Sequence, residues 1–217
     1  MDVKALQAFW DERYAGSEFA FGETPNDFLV EQLAAHPPLA QAGGTALPMT
    51  ALALADGEGR NGVWLAQQGY AVTSIDVSPK GLDKATRLAQ DRNVSIQTVL
   101  ADLTTVDFGQ QRWSVVASIF LHLPEAKRRE LHRRVIDALQ PGGVFFFEGY
   151  GKDQLRYGTG GPKEPALLFD LAELVADFEG LPVQVVHRFG GERTVQEGVR
   201  HTGLASVVQV TVRRYAE

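Results

Sequence analysis

Three acids and a pair of glycines are spaced along this chain in a way that could hold a nucleoside-bearing ligand. Asp56-Gly57-Glu58-Gly59 follows the apolar run Ala51 to Ala55, and a second apolar run closes on a lone acid, Asp76. Glycines let a backbone approach a ligand closely, and a carboxylate at the end of the next strand accepts hydrogen bonds from ribose hydroxyls. A third strand-like run ends at Ala101-Asp102-Leu103, placing another carboxylate where an adenine amino group could be bonded. Further along, His122, Glu148, Tyr150 and His201 fall at or near predicted strand ends, where a general base could reach an acceptor. His36, His132 and His187 read as incidental. No histidine pair has metal-ligand spacing such as H-E-x-x-H, so no metal site is expected.

The elements that must position these groups follow from apolar spacing. Residues 3 to 14 read as an amphipathic helix carrying Leu6, Phe9, Trp10 and Tyr14. After a loop rich in glycine and aromatic residues, Thr24-Pro25 reads as a cap and first position of a helix to about Ala35. His36-Pro37-Pro38 ends it, and Leu39 to Pro48 reads as a loop. A regular alternation comes next. Strands are predicted over 50–55, Ala71–Asp76, Ser95–Leu100, Trp113–Ile119 and Val144–Glu148. Helices are predicted over Arg60–Gln68, from the cap Ser78-Pro79 to about Arg92, and from Pro124 to about Leu139. The last of these carries Lys127, Arg128, Arg129, Arg133 and Arg134, read as a solvated face. A glycine-rich loop, Tyr157 to Pro162, leads to a helix capped by Asp170. Two apolar runs, Val183–Phe189 and Leu204–Val212, have no room for a crossover between them and so should pair antiparallel. The expected fold is α/β and Rossmann-like: about seven mostly parallel strands, an antiparallel C-terminal hairpin, and helices on both faces.

Composition narrows the function. The 217 residues suit one domain, with residues 1–47 as an N-terminal helical cap. The chain is 44% hydrophobic and 22% charged, with a formal net charge of −6. An acidic surface does not attract phosphate backbones or anionic lipid, so neither nucleic acid nor membrane is an expected partner. There are no cysteines, hence no disulfides, thiolate metal sites or cysteine nucleophile. The charged N-terminus lacks the apolar core of a secretory signal, so a cytoplasmic location is expected. Composition leaves the oligomeric state open.

The glycine turn admits two cofactors. Gly57 to Gly62 satisfies G-x-G-x-x-G and Asp76 lies near the spacing of a ribose acid, which alone would suit a nicotinamide dehydrogenase. Three features favour S-adenosylmethionine (SAM): the carboxylate at Asp102, the closing hairpin, and some fifty aromatic-bearing residues ahead of the first strand. The segments FWDERY, FGETPNDFL, ADGEGRNGVWLAQQGYAVTSIDVSPKGLDKA, ADL, SIFLHLP, LQPGGVFFFEGY and HTGLASVVQVTVRR carry a resemblance. Over nearly its whole length the chain resembles the class I SAM-dependent methyltransferases, and among them the tellurite-resistance and thiopurine S-methyltransferase-like branch.

The resemblance implies roles for particular residues. Gly57 and Gly59 would line the methionine part, with Asp56 and Asn61 beside them, and Asp76 would hold the ribose. Val77 would pack on the adenine face, with Ser78 and Ala101 completing that shell. Asp102 would meet the adenine amino group next to Leu103. Ser118 and Ile119 would lie under the sulfonium, and Trp10 and Tyr14 would close over it. The family often has an acid at the position held here by Ala53, so the methionyl ammonium would need other acceptors, either Asp56 or strand-end carbonyls. The run SIFLHLP differs from the N-P-P-Y of amine methylases, which with the acidic charge points to a small-molecule acceptor. A thiol, selenium or tellurium compound needs little base help. An oxygen or nitrogen acceptor would look to His122, Glu148, Tyr150 or His201. Two alternatives stay open: a catalytically impaired SAM-binding module and an NAD-dependent dehydrogenase.

Overall fold

In the computed structural model, residues 2–39, 49–198 and 201–216 are described. Strands β1 (Thr50–Leu54), β2 (Ala71–Asp76), β3 (Ile96–Leu100), β4 (Trp113–Ile119) and β5 (Leu139–Tyr150) run parallel. β6 (Val183–Glu197) and β7 (His201–Arg214) close the sheet as an antiparallel pair. The strand order is β3-β2-β1-β4-β5-β7-β6. The chain thus leaves β1 toward one edge and returns at β4, and the crevice between the carboxyl ends of β1 and β4 is the topological switch point where such sheets bind ligands.

The sheet is buried on both faces, so its strands read as apolar runs with alternate residues directed to opposite layers. Leu52, Leu54, Val116, Phe145 and Phe147 pack with Leu131, Val135 and Ile136 of α5 (Glu125–Ala138) and Leu174 of α6 (Leu171–Ala176). Ala51, Val115, Ala117 and Phe146 pack on the other side against Leu65 of α3 (Arg60–Gln67) and Phe28, Leu29 and Leu33 of α2 (Asp27–Ala35). The helix α4 (Pro79–Asp91) adds Leu88 and Ala89 against Val63, and α1 (Val3–Arg13) lies near α4. Among the described residues, no helix is long and apolar enough to cross a membrane.

Several boundaries differ from the expectation. The α2 cap is Asn26, whose side chain accepts from the Leu29 amide, so Thr24-Pro25 lies ahead of the helix. The closing hairpin is much longer than the two apolar runs, because Gly190 and Gly191 stay in register with Val208 and Val207. Apart from Leu39, the loop expected to Pro48 falls outside the described residues. Nor is the basic run on α5 wholly solvated. Arg128 is buried and donates through Nε to Asp177 Oδ2 at 2.7 Å, where His132 Nδ1 also lies at 2.9 Å. His132 is therefore a core residue stacked on Phe178.

Candidate ligand site at the carboxyl edge of the sheet

The turn after β1 is built from unusual backbone. Ala55 has φ 49°, a left-handed value that costs a non-glycine residue about 1–2 kcal/mol. Asp56 then points inward. Its Oδ2 accepts from Ser74 Oγ at 2.6 Å, and both carboxylate oxygens lie 3.2 Å from the Gly62 amide at the start of α3. Burial raises its pKa, and the bonds from Ser74 and Gly62 offset only part of that. A Cβ at Gly62 would stand 2.3 Å from Asp56 Oδ2, so glycine there is what lets the carboxylate in. Ala53 is buried in the strand below. Asp56 thus braces the turn against Ser74 and α3, and Ala53 carries no carboxylate.

Gly57 and Gly59 hold φ 56° and 89°. A Cβ on Gly57 would lie 2.5 Å from the Tyr14 hydroxyl, and one on Gly59 would lie 2.7 Å from the Ala85 Cα. The first neighbour is the end of a side chain; the second is backbone. Gly59→Ala should therefore be the costlier change, combining left-handed strain with overpacking for about 2–5 kcal/mol. Chemical denaturation of the two alanine variants checks this, and an equal loss at both positions would contradict it. Glu58 in the same turn pairs with Lys84 Nζ at 2.6 Å and accepts from the Ala20 amide at 2.8 Å. That buried pair ties the N-terminal segment to α4.

Asp76 closes β2 directly opposite the turn. Its Oδ2 accepts from the Gly57 amide and its Oδ1 from the Ser78 amide, both at 2.8 Å. The group is 5% exposed. Burial lifts its pKa to about 6, against the lowering effect of the Ser78 and Gly57 amides. Each carboxylate oxygen has a second lone pair, so two acceptor positions remain for a ligand diol. Ser78 caps α4 through the Gly81 amide and donates to Asp11 Oδ1 of α1 at 2.5 Å. Val77 is half-buried beside it.

The Ala101 amide donates to the Asp76 carbonyl, bringing the third strand end alongside. Asp102 is partly exposed and uses Oδ1 on the Thr104 amide, and Leu103 is buried against the core. Trp10 and Tyr14 stack with centroids 5.6 Å apart, and Tyr14 is buried over Gly57 and Gly81. Burial, then the charges of Asp76, Glu58 and Asp56, hold the Tyr14 pKa well above its usual range. Ser118 is buried at the end of β4 with no partner for its Oγ, and Ile119 is part of the core. Asn61 turns its Oδ1 toward the Asn26 amide at 3.0 Å.

The four candidate bases gather on the β4 and β5 side but differ sharply in availability. Glu148 is fully buried and committed: Arg193 donates to it through Nε at 2.7 Å and Nη2 at 2.9 Å, with Gln209 and Asn26 completing the set. Tyr150 is buried, and burial followed by the Glu197 and Glu148 charges raises its pKa far above neutrality. His201 packs on Phe21 at 4.6 Å, with Nδ1 4.0 Å from Glu197 Oε2. His122 stacks between Tyr150 at 5.7 Å and Phe169 at 4.9 Å, with Nδ1 2.7 Å from the Leu167 carbonyl. Burial lowers its pKa to about 4, although that hydrogen bond works the other way.

Sequence spacing missed a buried polar network behind this group. Arg60 donates to Glu197 at 2.7 Å, and Asn26 Nδ2 bridges Glu197 at 2.5 Å and Glu148 at 2.6 Å. Burial, more than any neighbouring charge, raises the Glu197 pKa. The hairpin end also packs on the N-terminal segment, since a Cβ at Gly198 would stand 2.5 Å from the Gly22 nitrogen. The one available sequence signal was Asn26 just ahead of an apolar helical run.

Comparison with known proteins follows the same lines. Residues 51–143 match a family described as a methyltransferase domain. A search of curated proteins returns no significant match. Among solved structures, one titled for conversion of a disulfide bond into a thioacetal group during echinomycin biosynthesis is similar, at 17% identity and TM-score 0.75, covering 99% of this chain and 92% of that one. Magnesium protoporphyrin IX methyltransferase from Synechocystis PCC 6803, with S-adenosylhomocysteine (SAH) bound, is similar at 14% identity and TM-score 0.68, with 98% and 100% covered. TehB from Haemophilus influenzae shows 15% identity and TM-score 0.67, with 96% and 66% covered. At these identities the likeness establishes the fold: a class I, Rossmann-like methyltransferase architecture with the expected antiparallel closing hairpin.

Proposed function

We propose that this chain is a SAM-dependent methyltransferase. SAM lies along the β1–β2–β3 edge, and a small-molecule acceptor lies toward the ends of β4 and β5. One observation carries this reading: on β2, beside the topological switch point, the Asp76 carboxylate is bonded to the Gly57 turn and still has two lone pairs to offer a ribose diol. The methyltransferase-domain match spans the same turn and strand ends.

In this reading Gly57 and Gly59 give the methionyl chain room beside Asp56 and Asn61. Asp102 meets the adenine amino group. Val77, Ser78, Ala101 and Leu103 border the base, Ser118 and Ile119 lie below the reactive sulfur, and Trp10 and Tyr14 cover it. The cofactor, when bound, supplies an electrophilic methyl group on a sulfonium. The protein aligns an acceptor lone pair and excludes water, a contribution that can reach roughly 7–11 kcal/mol. Resemblance to the tellurite-resistance and thiopurine branch supports a thiol, selenium or tellurium acceptor; chain length and the charged N-terminus support a single cytoplasmic domain. A second reading, a SAM-binding module without turnover, is favoured by Ala53 and by the inward turn of Asp56.

Titration calorimetry tests the cofactor assignment. SAH should bind and NADH should not; the reverse result would return the turn to the dehydrogenase reading. Turnover of any acceptor would discard the inactive module.

A further inference from the structure

Building on the methyltransferase reading, we propose that His122 Nε2 is the hydrogen-bond acceptor for the methyl acceptor, and that the acceptor is a neutral molecule carrying an O–H or S–H group. Nδ1 of His122 lies 2.7 Å from the Leu167 carbonyl. A carbonyl cannot donate, so Nδ1 carries the proton and Nε2 carries the lone pair. That Nε2 is buried and has no partner. Buried polar atoms are nearly always paired, so an orphan at a strand end marks a place where a ligand group or ordered water belongs. Ser118 Oγ, four residues earlier at the end of β4, is a second buried orphan. One is an acceptor and the other can donate, a pair suited to a hydroxyl or thiol.

The surroundings select further. Phe120, between them in sequence, has φ 56°, its N–H donates to the Glu148 carbonyl, and its ring lies 4.6 Å from Tyr150. A bulky residue in left-handed backbone costs energy that the fold spends placing that ring. Phe120, Tyr150, Phe169 and His201 thus make the wall aromatic. The nearby guanidiniums of Arg60 and Arg193 are committed to Glu197 and Glu148. Among the described residues this leaves an oxyanion such as tellurite without either of those cations, whereas an uncharged acceptor needs neither.

The step balances as follows. An acceptor lone pair forms the bond to the methyl carbon as the carbon–sulfur bond breaks, leaving its electrons on sulfur. The acceptor proton passes to His122 Nε2, so one positive charge moves from sulfonium to imidazolium and then leaves as a proton to water. Among the candidate bases, Glu148 is occupied by four donors and Tyr150 stays protonated, while His122 stays neutral with an unpaired lone pair on Nε2.

The test uses the full chain. Phenol and thiophenol series of graded acidity, alongside tellurite, are assayed with SAM in wild type and His122→Phe. Separately, histidine nitrogen resonances are recorded with SAH bound, before and after adding phenol. General-base loss should lower kcat by about 10²–10⁴-fold for acceptors protonated at the assay pH. The loss should be smaller for ionised thiophenolates, which have no proton to give. In wild type, phenol should shift Nε2 of His122 and leave Nδ1 in place. Equal losses for ionised and protonated acceptors, turnover of tellurite alone, or an Nε2 resonance indifferent to phenol would overturn the proposal. The nitrogen spectra decide it even where His122→Phe fails to fold or no acceptor in the series reacts. Failure of SAH to bind wild type would instead overturn the cofactor reading.

Discussion

Asp76→Ala is expected to weaken SAH binding by about 10- to 150-fold, the equivalent of roughly 1.5–3 kcal/mol for bonds to a charged acceptor. Two effects contribute, because the same carboxylate holds the Gly57 amide and faces the ribose. A ligand lacking the 2′-hydroxyl separates them: in wild type it should bind less tightly than SAH, and in Asp76→Ala the two ligands should bind alike. If the deoxy ligand still binds more weakly than SAH to the variant, another group holds the ribose. The pH dependence follows from the pKa near 6. In the unfolded chain this acid releases its proton near 4, but in the fold it keeps it to about 6. Between those values the native state binds more protons, so its contribution to stability falls as pH rises through that window and is level above it. Ribose hydroxyls favour the carboxylate, so ligand binding must expel the proton. SAH affinity should therefore drop about tenfold per pH unit below 6 and be flat above, with proton uptake by buffer visible in the calorimetric heat.

The parts of this site that were legible in the sequence are those set by local chemistry. Gly57, Gly59 and Asp76 follow from turn geometry and strand periodicity, and the mostly parallel sheet with its antiparallel closing pair follows from the spacing of the runs. What stayed hidden depends on partners far along the chain. Glu148 looked like a base because it ends an apolar strand, yet its oxygens are filled by Arg193, Gln209 and Asn26, which lie 45, 61 and 122 positions away. The long hairpin was invisible for a related reason: the apolar runs stop at Phe189 and resume at Leu204, whereas Arg193, between them, stays in the ladder and pairs with Glu148. Arg128 read as surface on helical spacing alone, and only Asp177, on the segment after α6, explains its burial. Asp56 combines the two cases. Its place in the turn was legible, but the bonds to Ser74 and Gly62 by which it also supports that turn were not.

The buried network should give the largest stability effect. Arg60 and Glu197 are 8% and 4% exposed at their side chains, and their 2.7 Å pair is extended by Asn26 to Glu148 and Arg193. Removing one charge from such a pair strands the other without water, at a cost of about 3–5 kcal/mol. Glu197→Ala should therefore lower Tm by roughly 6–20 °C in a chain of this size, measured calorimetrically. The pair itself need not be stabilising, since desolvation of two ions offsets much of their attraction. The double change Arg60→Met with Glu197→Leu should accordingly regain most of that loss. Its consequence for binding should be separate. Arg60 begins α3 and also approaches the Thr24 carbonyl, while Glu197 ends the strand whose following residue, Gly198, packs on Gly22. With apolar side chains in their place, the N-terminal segment loses its polar anchor to the hairpin end. SAH should then dissociate faster from a protein that melts near the wild-type temperature. Restored Tm with wild-type dissociation would show that the network serves folding alone, and an unrestored Tm would show that its geometry, and more than its charge balance, holds the N-terminal segment in place.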